Sequence, residues 1–276
     1  MGDYIDRGPK IKETLEIVKQ MVENGSAIAL LGNHEYNALC YHTKNPDGSY
    51  LREHSIKNNN QHSETLRQFQ DHPKEFQGYL EWFKTLPLFH ETDKFRAVHA
   101  CWDKKKIEFL KKTLKDNHLK NDLLNESVKK NTDLHDAIDQ TLKGKEIKMP
   151  DGESFTDKDG AQRSEIRIKW WEAPDEVTYK EISIEPLPNL PDTLINKELI
   201  KDNDFYNENE KPVFFGHYWL KGNPSLYRGN ICCLDYSVAK CGVLAAYSFD
   251  NEPKLSNEKF TYEKKVVHPV TTLIFT

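Results

Sequence analysis

The chain has 276 residues, of which 37% are hydrophobic and 30% charged; this fits one large domain, or one domain with an insertion, and supplies enough apolar side chains for a core. A formal net charge of -5 and a pI near 6.1 argue against a surface that coats nucleic acid, but a few local cations can still build an anion-binding pocket. No apolar run approaches the roughly 20 residues needed to cross a bilayer, so no membrane partner is expected.

From Pro9 onward, Ile11, Leu15, Val18 and Val22 recur at helical spacing, which predicts an amphipathic helix opened by Pro9 and closed by Gly25. Ala27 to Leu31 is wholly apolar and reads as a strand buried on both faces. It ends in Gly32-Asn33-His34-Glu35, and a short helix is expected over Tyr36 to Tyr41. Residues 43–62 are polar, with Asn45-Pro46-Asp47-Gly48 as a turn, and read as a loop. Phe76, Leu80 and Phe83 predict a helix that stops near Pro87, and Phe95 to Val98 a strand that runs into His99.

Residues 104–210 differ in character. Ile107, Leu110 and Leu114 mark one lysine-studded helix, and Leu134, Ala137, Ile138 and Leu142 another. Pro150-Asp151-Gly152 and Asp159-Gly160 are turn signals around a strand-like stretch, Ile166 to Trp170 alternates like a second strand, and Pro186 to Pro191 is linker-like. This region is taken as an insertion that caps or flanks the site within one domain over 1–276, with Trp170-Trp171 packing it onto the core. Strands are then predicted at Val213 to Phe215, Ile231 to Leu234, Val243 to Phe249 and Thr271 to Phe275. Cys40, Cys101, Cys232, Cys233 and Cys241 form no pattern and predict reduced thiols in a cytoplasm. His42, His54, His62, His72, His90, His118 and His135 lie mostly in polar stretches and read as exposed.

Chemistry gathers in short segments at strand ends: Gly2-Asp3-Tyr4-Ile5-Asp6-Arg7-Gly8, Gly32-Asn33-His34-Glu35, Val98-His99 and Gly216-His217. Sites in open α/β sheets collect at the carboxyl ends of strands, so these segments are expected to converge. Asp, Asn and His without a Cys thiolate suit Mn, Fe or Zn. A carboxylate such as Asp3 can bridge two ions, which activate a shared water and clamp a phosphate for in-line attack. Arg7 offers a donor fork for two phosphate oxygens. His34 is suited to protonate a leaving alkoxide if a nearby carboxylate keeps it cationic, and Asp6 is the natural partner.

The runs at 2–8 and 32–35 resemble the second and third signature motifs of the phosphoprotein phosphatase branch of the calcineurin-like metallophosphoesterases. That branch includes protein Ser/Thr phosphatases, bacterial symmetrical dinucleoside tetraphosphatases and a bacterial polynucleotide phosphatase. His99 and His217 stand where the family places its last two metal-binding histidines. The resemblance implies an α/β fold, a four-layer αββα sandwich with an inserted helical or mixed cap. It implies Asp3, Asn33, His99 and His217 as metal ligands, His34 with Asp6 as the acid pair, and Arg7 as a phosphate clamp. Arg163 and Arg167 are both candidates for the family's additional substrate-binding arginine. Trp219 stands where other metallophosphoesterases carry a further His ligand, which places the chain with the phosphoprotein phosphatase branch.

His99 is followed by Ala100-Cys101, where the protein phosphatases usually have glycines, which points to a bacterial-type enzyme. The family's opening Asp-x-His-Gly motif has no counterpart before Gly2. The expectation is therefore a chain lacking its N-terminal strand unit, with one divalent ion where the full-length enzyme would hold two. The implied function is hydrolysis of phosphate esters or phosphoanhydrides by a metal-bridging hydroxide, acting on a phosphoprotein or a nucleotide. The alternative is a non-catalytic one-metal phosphate-binding module.

Overall fold

The computed structural model describes residues 1–150, 153–156, 162–173, 176–185, 187, 190–196, 199–200 and 205–264. In chain order the first elements are helices α1 (Ile11–Glu23), α2 (Asn33–His42), α3 (Ile56–Gln68) and α4 (Pro73–Phe83), followed by strands β1 (Phe89–Glu91) and β2 (Arg96–Val98). Helices α5 (Lys104–Thr113), α6 (Asn121–Ser127) and α7 (Asp133–Lys143) precede short strands β3 (Glu146–Lys148), β4 (Phe155–Thr156), β5 (Gln162–Arg163) and β6 (Glu165–Arg167) and a single turn, α8 (Tyr179–Ile182). Strands β7 (Val213–Phe215), β8 (Ile231–Cys233), β9 (Asp235–Tyr236), β10 (Val243–Tyr247) and β11 (Phe260–Lys264) complete the mixed α/β chain. Among the described residues no helix is long and apolar enough to cross a membrane.

The main sheet runs β1-β2-β7-β8. β1 and β2 are antiparallel, whereas β2, β7 and β8 are parallel, with Ala97 opposite Phe214 and Phe215 opposite Cys233. Because these three strands point the same way, His99, Gly216-His217 and Asp235 emerge at one sheet edge, and Gly216 N donates to His99 O at 2.8 Å. The interior strand β7 is buried throughout, as its unbroken apolar run requires. A second sheet, β9-β10-β11, is antiparallel, and Phe214, Cys232 and Leu255 pack with Phe95, Tyr247, Phe249 and Phe260 beside it.

Helices α1, α4, α5 and α7 follow their apolar periodicity. Ile11, Leu15, Phe76, Leu80, Phe83, Ile107, Leu110, Ala137, Ile138 and Leu142 all enter the main core. Trp170 and Trp171 enter it too, each 1% exposed and packed against Phe215. Within the stretch read as an insertion, a separate apolar cluster forms from Ile147, Met149, Ile166, Ile168, Tyr179 and Ile182, with Leu190, Ile195 and Ile200.

Several expectations are corrected. Ala27 to Leu31 forms no ladder strand. Leu31 N donates to Pro87 O at 2.9 Å, but proline has no N–H to return the bond, and Leu30 N goes to the Tyr4 hydroxyl at 3.2 Å. Helix α2 starts at Asn33 rather than Tyr36, because Gly32 serves as its N-cap and the Glu35 carboxylate accepts from Gly32 N at 3.0 Å. The polar stretch 43–62 is not all loop. Ser55 caps α3, and Arg52 fastens that helix by donating to Asn58 Oδ1 at 2.8 Å and Gln61 Oε1 at 2.7 Å. His62, read as exposed, is 5% exposed. The predicted Ile166 to Trp170 strand shortens to Glu165–Arg167. The strand expected at Thr271 to Phe275, the turn signals at Asp151-Gly152 and Asp159-Gly160, and part of the Pro186 to Pro191 linker lie outside the described residues. Cys40, Cys101, Cys232 and Cys233 are buried free thiols, and Cys241 is an exposed one.

Candidate active site

The loop carrying Asp3, Asp6 and Arg7 is pinned from below by Glu35, which is fully buried. Its Oε2 accepts from Asp3 N at 2.8 Å and Gly32 N at 3.0 Å; its Oε1 accepts from Tyr4 N at 2.7 Å and Ile5 N at 3.3 Å. Burial, then the Asp3 charge, push the Glu35 pKa up to about 7, against the pull of His34 and the backbone donors. Gly2 and Gly32 let the two motifs touch. A Cβ on Gly2, at φ +87°, would meet Gly32 Cα at 2.5 Å, and a Cβ on Gly32 would meet Asp3 N at 2.5 Å. Asp3, Asp6 and Arg7 all have φ near +60°, as do His217 (73°) and Trp219 (56°). Non-glycine residues seldom adopt this conformation, and it clusters where surrounding structure enforces a functional geometry.

Asp3, His99 and His217 each offer a ligand atom, and these atoms lie within 4.8 Å of one another. His99 Nδ1 donates to Met1 O at 2.6 Å, which turns Nε2 toward Asn33 Oδ1 at 3.0 Å and Asp3 Oδ1 at 3.4 Å. His217 Nδ1 lies 2.9 Å from the same Asn33 oxygen, while its Nε2 is buried with no hydrogen-bond partner. Burial, followed by the charges of Arg167 and His99, holds the His217 pKa well below the usual value, so this ring is neutral. Burial pushes the Asp3 carboxyl up, but His99, His34 and Arg7 outweigh it and leave the pKa below normal. The side-chain atoms of Asp3, Asn33, His99 and His217 thus converge on one point, and a cation at their centre is what such a donor set fits. The Met1 carbonyl fixes the His99 ring in the manner of an outer-shell partner.

Beside this centre, His34 Nδ1 donates to Asp6 Oδ2 at 2.5 Å. The other carboxylate oxygen accepts from His62 Nδ1 at 2.8 Å and from the Thr65 hydroxyl at 2.6 Å. Burial opposes ionisation of Asp6, but bonds from His34 and His62 more than offset it and hold its pKa well below the carboxylate range. Burial also lowers His34, yet the charges of Asp3 and Asp6 leave its pKa raised. The carboxylates thus favour the protonated form of His34, as a general acid requires.

Both groups open onto a pocket of about 150 Å³ whose lining includes Asp3, Asn33, His34, His217 and Arg7. Arg7 lies over the Trp219 ring at 4.1 Å, with Lys240 4.8 Å from the same ring. Trp219 N donates to Asp235 Oδ2 at 3.0 Å, which steadies its left-handed backbone. Arg163 and Arg167 both line the pocket as well, with Arg167 Nε 3.3 Å from Glu146. Because Trp219 supports Arg7, Trp219→Leu is expected to raise the Kd for orthophosphate about fivefold, the loss of roughly 1 kcal/mol of cation–π energy. Titration calorimetry measures this, and an unchanged Kd would count against the platform.

Sequence reasoning singled out every residue of the acceptor set and the His34–Asp6 pair. It gave no role to Glu35, although Glu35 sits inside a quoted motif, and it missed His62 and Thr65. Their signal was the i, i+3 spacing of two hydrogen-bonding residues in an otherwise polar segment.

The family model of the calcineurin-like phosphoesterases matches residues 1–218. The chain belongs to that family. Divalent metal ions serve phosphoesterases of this family, in keeping with the acceptor set around Asn33. Similar proteins include the symmetrical bis(5'-nucleosyl)-tetraphosphatase of Methylobacillus flagellatus, 35% identical over 100 residues that make up 36% of this chain and 31% of the relative. The proteins of the same name from Nitrosomonas europaea and Aromatoleum aromaticum are each 29% identical, over 101 and 100 residues, covering 36% of this chain and 32% of each relative. The chain spans about a third of the length of the curated relatives it matches.

Proposed function

We propose that this phosphoesterase-family chain hydrolyses phosphate esters or phosphoanhydrides with the help of a divalent cation held by Asp3, Asn33, His99 and His217. One observation carries the reading: Asp3, Asn33 and His217 of this set, His34 with Asp6 bonded behind it, and Arg7 meet at a single pocket. The nitrogen and oxygen donors favour Mn, Fe or Zn. When bound, the cation supplies Lewis acidity and a nucleophilic water at neutral pH. Arg7 then holds phosphoryl oxygens with its donor fork. His34, with Nδ1 committed to Asp6, presents Nε2 to the leaving oxygen and gives it a proton. The cluster around Ile147, Ile166 and Tyr179 serves as a cap, bringing Arg163 and Arg167 to the substrate. The two larger sheets are read as the inner layers of an αββα sandwich.

The relatives' name makes a nucleoside polyphosphate the first substrate class to test, ahead of a phosphoprotein. Manganese is expected to stimulate hydrolysis of p-nitrophenyl phosphate and of a symmetrical bis(5'-nucleosyl) tetraphosphate, and chelation to abolish it. About one ion per chain is expected by elemental analysis, since one donor cluster is present among the described residues. No manganese-stimulated turnover of either compound would overturn the enzymatic reading, and two full-occupancy ions would overturn the count.

A further inference from the structure

We propose that His62 is a positioning residue for leaving-group protonation, acting through Asp6 to fix the orientation and tautomer of His34. The inference rests on the phosphoesterase reading above, in which His34 Nε2 faces the leaving oxygen. All three side chains are buried, at 6%, 4% and 4% exposure for His62, Asp6 and His34. An ionised carboxylate only accepts hydrogen bonds, so the rings contacting Asp6 through Nδ1 each carry their proton there. This leaves His34 Nε2 turned to the pocket. His62 Nε2 in turn lies 3.2 Å from His42 Nε2, so the two rings share a hydrogen bond. The result is a hydrogen-bonded file in which His42 pairs with His62, His62 donates to Asp6 Oδ1, and His34 donates to Asp6 Oδ2.

Two features of α3 make this a built arrangement. His62 and Thr65 stand one turn apart on the same face, and both reach the same Asp6 oxygen. Thr65 Oγ1 also accepts from Asp6 N at 3.0 Å, so helix α3 holds the backbone and the carboxylate of Asp6 together. With Oδ1 saturated, the carboxylate plane is set and its remaining lone pairs point at His34. Phe76 and Tyr41 flank the His62 ring at centroid distances of 6.0 and 5.2 Å, so phenylalanine can replace it without emptying the site.

The test compares two esters. The leaving group of p-nitrophenyl phosphate departs with little need of a proton, whereas that of phenyl phosphate needs one. In the manganese-loaded enzyme, His62→Phe is expected to lower kcat for phenyl phosphate by about 10–100-fold and for p-nitrophenyl phosphate by no more than about threefold, with KM unchanged. His62→Gln, whose amide N–H can still donate to Asp6, is expected to recover most of the loss. In metal-free protein, at a pH high enough to leave the His34 ring neutral, long-range ¹⁵N correlation should show one Nδ1–H tautomer in the wild type and a mixture in His62→Phe. If His62→Phe does not fold, His62→Ala with imidazole added to the medium gives the same comparison. Equal losses on both esters, no loss, or an unchanged His34 tautomer would overturn the role of His62. Wild-type protein inactive on both esters would instead overturn the phosphoesterase reading.

Discussion

Glu35→Gln should lower the unfolding free energy by about 4 kcal/mol, because two buried backbone donors lose their acceptor at about 1–3 kcal/mol each and an amide hydrogen is driven toward them. The carboxylate divides four N–H groups between its two oxygens: Tyr4 and Ile5 on Oε1, Asp3 and Gly32 on Oε2. An amide supplies only one accepting oxygen. Whichever way it is turned, its NH₂ faces a pair of backbone donors. No rotation of the side chain escapes this, since Glu35 is fully buried in the first turn of α2. A chain of this size should lose about 8–16 °C in Tm. The consequence extends to the site, because the loop held by Glu35 carries Asp3, Asp6 and Arg7 in left-handed backbone conformations that relax once the anchor weakens. Thermal and denaturant unfolding followed by circular dichroism measure the effect. A loss below about 1 kcal/mol would mean that the four bonds are not the anchor described.

The parts of this fold that could be read from the sequence are those in which burial is apolar. α1, α4, α5 and α7 each show an inward stripe of Leu, Ile and Phe, and each formed where that stripe predicted. α3 escaped because its inward side carries His62 and Thr65, which are buried by hydrogen bonds to Asp6 and leave no hydrophobic period. Ala27 to Leu31 misled in the opposite direction. It has the composition of an interior strand, but the segment beside it offers Pro87, which accepts one bond and returns none.

At the site, the legible residues were those whose side-chain type is itself the chemistry: Asp3, Asn33, His34, His99 and His217. Glu35 was present in the same motif but remained unassigned, because its partners are backbone N–H groups, those of Asp3, Tyr4 and Ile5 far upstream and that of Gly32 nearby, and backbone donors leave no trace in residue type. The choice between Arg163 and Arg167 stayed open for a physical reason. They lie on adjacent short strands and both face the pocket.

The acceptor cluster itself predicts how stability should respond to metal. With His99 Nδ1 committed to the Met1 carbonyl, its Nε2 lies 3.0 Å from Asn33 Oδ1 and 3.4 Å from Asp3 Oδ1. A divalent cation binds this converged set in the folded state and finds no such set in the unfolded chain. Manganese at a thousandfold excess over its Kd should therefore add about 4 kcal/mol to the unfolding free energy, a Tm rise of about 8–16 °C. Magnesium, which prefers oxygen donors in octahedral array, should do much less. Asn33→Ala separates this effect from general stabilisation. It removes the oxygen that both His99 Nε2 and His217 Nδ1 approach, and alanine at the first position of α2 costs the helix little. The metal-free variant should melt within a few degrees of the wild type, while the manganese-dependent rise falls to a small fraction, reflecting an affinity loss of at least about tenfold. A full manganese shift retained in Asn33→Ala, or none in the wild type, would mean that these side chains do not share a cation.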